Sequence, residues 1–167
     1  FSADEHCYAI TAIYQMVFMD IVPTNYKEIV RQARIKTLSL VYQAQTSHIG
    51  SNLSAIDIFA VLFEKADPQK DEVILSAGWK AAAWYYFLHR KGIISEEELN
   101  SFCQAGSPFT GLVEPIDCDK CGGSRKKEVC KKCNGIGKRW GLRFAGGSMG
   151  ISFPAAVGFA LAKKLKK

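Results

Sequence analysis

The sequence predicts an α/β fold, in which helices pack on a short, mainly parallel sheet. Helical patterns, with apolar residues at steps of three and four, alternate along the chain with short branched runs bounded by polar residues. Such alternation is typical of layered α/β domains. The chain has 167 residues, of which 48% are hydrophobic and 23% are charged, and this is enough to bury the core of one domain.

The first helix is predicted to begin at a cap formed by Thr24 or Asn25 and to run to about Gln45. Small and turn-forming residues at 46–52 then predict a loop. The buried stripe of this helix is predicted to contain Val30, Ala33, Thr37, Leu40, Val41 and Ala44.

A second helix is predicted from Ala55 to Lys65, with Ser54 as its cap. Pro68 ends this helix, and the polar residues around the proline predict a loop. The branched run 72–75 that follows predicts a buried strand, because it is short and bounded by polar residues.

A third helix is predicted over about 80–91, after a turn at 76–78, and Gly92 ends it. The run 95–98 has the spacing of a capping box and opens a fourth helix that reaches about Gln104.

The last third of the chain ends in a strand, a loop and a helix. Residues 141–145 predict a strand with Leu142 and Phe144 on one face. The glycine-rich run 146–150 predicts a loop, and a helix is predicted from there to the C-terminus.

Two C-x-x-C pairs, separated by eight residues, predict a structural zinc site. Each pair places two thiolates on one side of a turn, and four thiolates close a tetrahedral shell with no open position. Disulfides or four unrelated thiols are the alternatives, and the spacing favours metal over both. The predicted ligands are Cys118, Cys121, Cys130 and Cys133.

The formal charge of +6 comes from the segment around these cysteines, and the rest of the chain is neutral. A basic zinc segment also fits nucleic-acid binding. Trp140 is the single aromatic residue near it in sequence, whereas base stacking needs aromatics interleaved with the charges. A solvated basic loop or a partner-docking surface is therefore favoured over nucleic acid.

Cysteine use predicts a reducing, cytoplasmic location, because Cys7 and Cys103 are isolated from the paired cysteines. The apolar run 7–22 lacks a basic leader and is too short to span a bilayer, so no membrane association is expected. Residues 1–24 are interpreted as an N-terminal extension, with Met16 or Met19 as a possible natural start.

Two short loops carry the remaining candidate chemistry. Ser47-His48-Ile49-Gly50 follows the first helix, and Gly147-Ser148-Met149-Gly150 precedes the last one. A lone histidine in a loop is more often an ordinary polar residue than a functional one, and a lone glycine cluster says less still. Neither motif identifies a function by itself.

From about Ala33 to Lys164 the chain resembles the N-terminal region of transketolases. The segment ARIKTLSLVYQAQTSHIGSNLSAIDIFAVLF is similar to the family's opening helix, its S-G-H-x-G loop and the next helix. DEVILSAGW resembles the strand that leads into L-S-x-G-H, and GLRFAGGSMGISFPAAVGFALAKKL resembles the strand, the T-G-x-L-G-Q-G loop and the helix after it.

The resemblance implies a partial thiamine-diphosphate-binding fold over residues 25–167, interrupted by a zinc insertion at 115–140. It gives His48 a catalytic role beside the substrate and the reactive carbon of the cofactor. It implies that the cofactor is bound by Gly50, Ser51, Gly147, Ser148 and Met149.

The chain departs from the family at several positions. Trp79 stands where the family has a second histidine, and Leu112 stands where it has a third. Ile151 and Ser152 replace the glutamine and glycine of L-G-Q-G. One substrate-site histidine of the usual three therefore remains, and neither an indole nor an alkyl side chain can relay a proton.

The resemblance also implies partner chains, because no G-D-G occurs in this sequence. In the family, a G-D-G…N segment holds Mg²⁺ and the diphosphate, and a separate pyrimidine-binding domain completes the site. The expectation is the N-terminal subunit of a split, hetero-oligomeric transferase that moves two-carbon ketol units between sugar phosphates. A non-catalytic assembly or regulatory module, and a cloned or processed fragment, are the alternatives.

Overall fold

A computed structural model describes residues 25–67, 71, 73–118, 120 and 142–165 of the chain. The N-terminal extension predicted at 1–24 and nearly all of the insertion predicted at 115–140 lie outside these ranges. The elements in order are α1 (Tyr26–Gln43), α2 (Ile49–Lys65), β1 (Val73–Leu75), α3 (Ala81–Arg90), α4 (Glu96–Asn100), β2 (Leu142–Ala145) and α5 (Ser152–Leu165).

Helix α1 follows the prediction closely. Asn25 is its N-cap residue, but the Asn25 side chain makes no capping hydrogen bond. At the other end the Thr46 amide donates to the Val41 carbonyl and the Gln45 amide donates to the Tyr42 carbonyl, each over 3.2 Å. These two bonds form a Schellman motif, with Gln45 in the left-handed region at a φ of 48°.

Helix α2 begins at Ile49, so the predicted start at Ala55 was wrong and Ser54 lies inside the helix. The polar residues of the first turn were interpreted as loop. Ser51 and Asn52 instead turn their side chains back to the carbonyl of His48, which is the N-cap residue. Their hydrogen bonds close the first turn rather than ending the helix.

The core lies between α1, α2 and α3. Helix α3 is buried on every side from Ala81 to Leu88, which is the pattern of a central helix. The Trp84 ring packs edge-on against Phe59 and Phe63, with centroid distances of 5.4 and 5.0 Å. Edge-to-face pairs contribute about 0.5–1.5 kcal/mol beyond the burial of their surface. This aromatic cluster anchors α2 to α3.

The sheet of the described residues has two strands, β1 and β2, which run parallel as predicted. Ile74 pairs with Phe144 and Leu75 pairs with Ala145, after a register shift that follows Val73. Because the strands are parallel, their carboxyl ends lie at the same edge, and the loops that follow them begin side by side.

Helices α3 and α4 end and begin at the predicted signals. Gly92 follows α3 at a φ of 68°, and its amide donates to the His89 carbonyl over 2.8 Å. The Ser95–Glu98 capping box is present, with its two hydrogen bonds at 2.8 and 3.1 Å. Helix α4 ends at Asn100, earlier than predicted, because Cys103 adopts a φ of 57° and its amide donates to the Phe109 carbonyl.

Helix α5 was predicted correctly, but most of its surface is exposed. Ser152, its first residue, is the one side chain of the helix that is buried among the described residues. The large apolar residues that it exposes are Phe153, Val157, Phe159, Leu161 and Leu165.

Among the described residues, every helix is too short or too polar to cross a lipid bilayer.

Thr37 is fully buried in α1, and its hydroxyl has no hydrogen-bond partner in the described part of the chain. Replacing it with valine should therefore raise the free energy of unfolding, by up to about 1 kcal/mol, because an unpaired hydroxyl leaves the core. Urea denaturation of Thr37→Val measures the change. A loss of stability would mean that the hydroxyl has a partner outside the described residues.

Candidate functional site

Two turns meet at the carboxyl edge of the sheet, 76–80 after β1 and 146–150 after β2. The Gly146 amide donates to the Leu75 carbonyl, and the Gly146 carbonyl accepts from the Gly78 amide, both over 2.8 Å. These bonds hold the turns side by side. The carboxyl ends of parallel strands are the edge at which open α/β sheets usually bind ligands.

Leu112 packs against both turns. A methyl group on Gly78 would lie 2.8 Å from Leu112 Cδ1, and one on Gly147 would lie 3.2 Å from Leu112 Cδ2. The next residue, Val113, donates its amide to the Gly78 carbonyl over 2.9 Å. Gly78 therefore has to be glycine for steric reasons, and the space that its missing side chain leaves is filled by an alkyl group.

Ser152 lies directly beneath the start of the second loop. Its side chain is 2% exposed, and its hydroxyl has no hydrogen-bond partner among the described residues. A methyl group on Gly146 would collide with the Ser152 hydroxyl and would lie 3.0 Å from the Ser76 carbonyl oxygen. The absence of a side chain at Gly146 thus makes room for the one that Ser152 adds.

This packing predicts that Gly146 and Ser152 are energetically coupled. Gly146→Ala should lower the free energy of unfolding by about 1–3 kcal/mol, as overpacking does. Ser152→Gly removes the main obstacle, so adding it to Gly146→Ala should recover part of that loss. Part of it should remain, because the Ser76 carbonyl is unchanged. A double-mutant cycle in urea measures the coupling, and strictly additive effects would contradict the packing.

His48 is the N-cap residue of α2 and lies in the left-handed region, with φ 71° and ψ 21°. That conformation costs a residue with a side chain about 1–3 kcal/mol and is concentrated at functional sites. The imidazole is exposed, and its Nδ1 lies 2.8 Å from the Ser47 hydroxyl. Its ring centroid is 6.3 Å from that of Trp79, and the two rings are tilted by 33°.

The His48 carbonyl accepts three hydrogen bonds, which compensate for this strain. The backbone amide of Asn52 donates over 3.0 Å, the Asn52 side-chain amide over 2.9 Å and the Ser51 hydroxyl over 3.1 Å. Asn52 was not among the residues predicted from the sequence. A detectable signal was present, because an asparagine four residues after a histidine can reach its carbonyl across one helical turn.

The predicted cofactor residues lie in two groups that flank the turn 76–80. Gly50 and Ser51 belong to the first turn of α2, and the Lys80 ammonium donates to the Ser51 carbonyl over 2.8 Å. The second group, 147–149, is exposed, and Met149 is 86% exposed. The structure thus brings both groups against one turn, at the carboxyl edge of the sheet.

The predicted zinc site lies mostly outside the described residues. Cys118 is described and is 1% exposed, whereas Cys121, Cys130 and Cys133 fall in the range that the structure does not describe. Within the described ranges, no three histidine, cysteine or acidic side chains cluster as metal ligands.

Comparison with known proteins identifies the family. The family model for the transketolase, thiamine diphosphate binding domain, matches residues 25–120. The chain is 28% identical over 138 residues to the 6-deoxy-6-sulfo-D-fructose transketolase subunit SqwG of a Clostridium species, which covers 77% of this chain and 42% of that protein. It is also 28% identical over 87 residues to an apulose-4-phosphate transketolase subunit from Phocaeicola vulgatus, which covers 47% of this chain and 31% of that protein.

These matches span less than half the length of either relative. The family model, in contrast, matches more than half of this chain and takes in α1 to α4 together with β1 and the turn that follows it. The chain therefore belongs to the transketolase family and contains its thiamine diphosphate binding domain, in part.

Proposed function

We propose that this chain is the N-terminal subunit of a split transketolase-like enzyme. With partner chains it transfers two-carbon ketol units between sugar phosphates, using thiamine diphosphate and Mg²⁺. The observation that carries this proposal is the strained, exposed His48, held beside the two loops at the carboxyl edge of the sheet. The two relatives, each named as one subunit of a transketolase, support the need for partners.

The described residues fit one part of the cofactor. The loop 147–150 is exposed, and its glycines leave the backbone uncovered, with Gly150 at a φ of 91°. Uncovered N–H and C=O groups can pair with the edge of a heterocycle, while the exposed Met149 offers it an apolar support. Gly147, Ser148 and Met149 would hold the cofactor from one side and Gly50 and Ser51 from the other. When bound, thiamine diphosphate supplies the nucleophilic carbon on which the carbon–carbon bond is made and broken.

The role proposed for His48 is to bind a substrate hydroxyl and to move its proton. The Ser47 hydroxyl bonds to Nδ1, which orients the ring and leaves Nε2 to face the substrate. The fixed backbone of His48 means that little reorganisation is needed when substrate arrives. Trp79, beside it, contributes an apolar wall and no proton transfer.

The diphosphate and Mg²⁺ are assigned to partner chains. This sequence has no G-D-G, and a chain that carries a G-D-G…N segment would supply the metal ligands. A pyrimidine-binding domain, on the same or another chain, would cover the exposed side of the loop 147–150. The apolar side chains that α5 exposes offer a further surface against which such a chain can pack.

A second candidate is a non-catalytic assembly or regulatory module. The observation that favours it is the apolar pair of Trp79 and Leu112, which stand where the transketolase family carries histidines. In that case the fold is a scaffold, and partner chains bind it without cofactor.

We further propose that Cys118, Cys121, Cys130 and Cys133 bind one structural Zn²⁺. Four thiolates in two C-x-x-C pairs are the donor set that zinc prefers, and they leave no coordination position for substrate. Burial of Cys118 fits a ligand that is shielded from solvent. The basic residues around the site would then form a docking surface for a partner.

Calorimetric titration with thiamine diphosphate and Mg²⁺ tests the proposal against its alternative. The complex of this chain with its partner should bind the cofactor, and each chain alone should bind it far more weakly. A complex that assembles but binds no cofactor would remove the enzymatic proposal and support the scaffold.

A further inference from the structure

Asn52 is one of the few polar side chains in the core, with 2% of its surface exposed. Each of its hydrogen-bonding groups has a partner. The side-chain NH₂ donates to the His48 carbonyl over 2.9 Å and to the Trp79 carbonyl over 3.1 Å. The side-chain oxygen accepts from the Ala83 amide over 3.0 Å. A buried amide that is fully satisfied fixes the geometry of the segments it joins.

These bonds join three segments that are distant in sequence. His48 caps α2, Trp79 lies in the turn after β1, and Ala83 is in the first turn of α3. The Ala83 amide belongs to the first turn of a helix, where backbone donors have no partner within the helix, so Asn52 satisfies one of them. Outside this contact, the Lys80 ammonium makes a second link between the same elements, to the Ser51 carbonyl over 2.8 Å.

Asn52 therefore acts on the two residues whose rings face the proposed substrate site. It holds His48 in a backbone conformation that is strained without such support, and it holds the backbone of Trp79 at the same time. The ring centroids of these two residues are 6.3 Å apart. Any change in their relative position has to break a hydrogen bond of Asn52.

We propose that Asn52 is a positioning residue that fixes His48 and Trp79 as one preformed wall of the substrate site. This inference rests on the proposed function for its catalytic meaning, but the structural coupling exists without it. Misplacing a catalytic group by about 1 Å can cost about 100-fold in rate. Loss of Asn52 should thus lower kcat much more than it raises KM, because the substrate still binds while the imidazole is misaligned.

Asn52→Asp separates positioning from packing. Aspartate keeps the size of the side chain and can still accept from the Ala83 amide, but it cannot donate to the carbonyls of His48 and Trp79. Leu99→Ala is the matched control, because Leu99 is fully buried in α4 and its truncation costs stability, about 2–5 kcal/mol, away from the site.

Two readouts decide between positioning and packing. In the chain alone, the ring C–H signals of His48 and the indole N–H signal of Trp79 should shift in Asn52→Asp and stay in place in Leu99→Ala. In the reconstituted complex, Asn52→Asp should lower kcat by about 10- to 100-fold and change KM by less than about threefold. Unchanged signals in Asn52→Asp, or equal shifts in the control, would overturn the positioning role.

The readouts also separate this inference from the proposed function. A wild-type complex without turnover would sink the enzymatic proposal, while the signals of the chain alone would still test the coupling. If Asn52→Asp does not fold, the wild-type Asn52 side-chain amide protons provide the answer. Slow exchange of both protons with solvent is expected from two donated hydrogen bonds, and fast exchange would overturn the inference.

Discussion

Replacing His48 with asparagine should lower the turnover of the reconstituted complex by at least about 100-fold, since a positioned general acid–base contributes about 100- to 10,000-fold. Asparagine is the appropriate replacement, because it tolerates the left-handed conformation that His48 adopts and so keeps the first turn of α2 in place. The measurement is steady-state ketol transfer at saturating cofactor.

His89→Asn is the matched control for this prediction. His89 lies in the last turn of α3, where its Nδ1 is 3.3 Å from the Ile94 carbonyl, and it has none of the roles proposed above. The same substitution there should leave turnover within about threefold, because no transition-state contact is removed. Equal rates for His48→Asn and the wild type would remove the catalytic role of His48.

The chain should carry one tightly bound zinc ion, and removing that ion should destabilise it strongly. Structural zinc in small peptide sites binds with about 10–16 kcal/mol, so even a fraction of this binding energy exceeds the effect of most point mutations. Native mass spectrometry counts the metal, and thermal denaturation with and without a chelator measures the stability it contributes. Cys118→Ser should abolish stoichiometric binding.

Cys103→Ser separates the four proposed ligands from the other thiols. Cys103 lies outside both C-x-x-C pairs, and burial raises the pKa of its thiol, which disfavours the thiolate form that metals bind. This variant should retain the full zinc content. A wild-type chain that is folded and metal-free would contradict the site altogether.

The helices of this fold could be predicted because their signals are local. The stripe in α1, the capping box at Ser95 and the stop at Gly92 each depend on residues within one or two turns. The start of α2 could not be predicted in this way. Ser51 and Asn52 have side chains that favour loops when considered alone, and Asn52 is held in the helix by Trp79 and α3, which are distant in sequence.

The same distinction explains the candidate site. His48 and the loop 147–149 were found because they occur in motifs with recognisable spacing. Ser152 and Asn52 were assigned no structural role, because the importance of each depends on a partner supplied by another segment. A serine at the start of a helix is an ordinary surface residue until the space above it is shown to require a glycine at Gly146.

The exposed face of α5 and the exposed loop 147–150 are explained by one feature of the proposal. Both lie at the end of the described chain, next to the part of the site assigned to partner chains. If a partner packs there, its binding should bury Met149, which is 86% exposed in the chain alone. The proposed assembly thus uses a surface that the chain by itself leaves open to solvent.

The most direct test of the central claim is ketol transfer by this chain mixed with a partner that carries G-D-G…N and a pyrimidine-binding domain. A split transketolase-like enzyme should give a rate that requires both chains, thiamine diphosphate and Mg²⁺, and that is lost when any one is omitted. An equal rate from the partner alone, or a stable complex without any transfer, would contradict it.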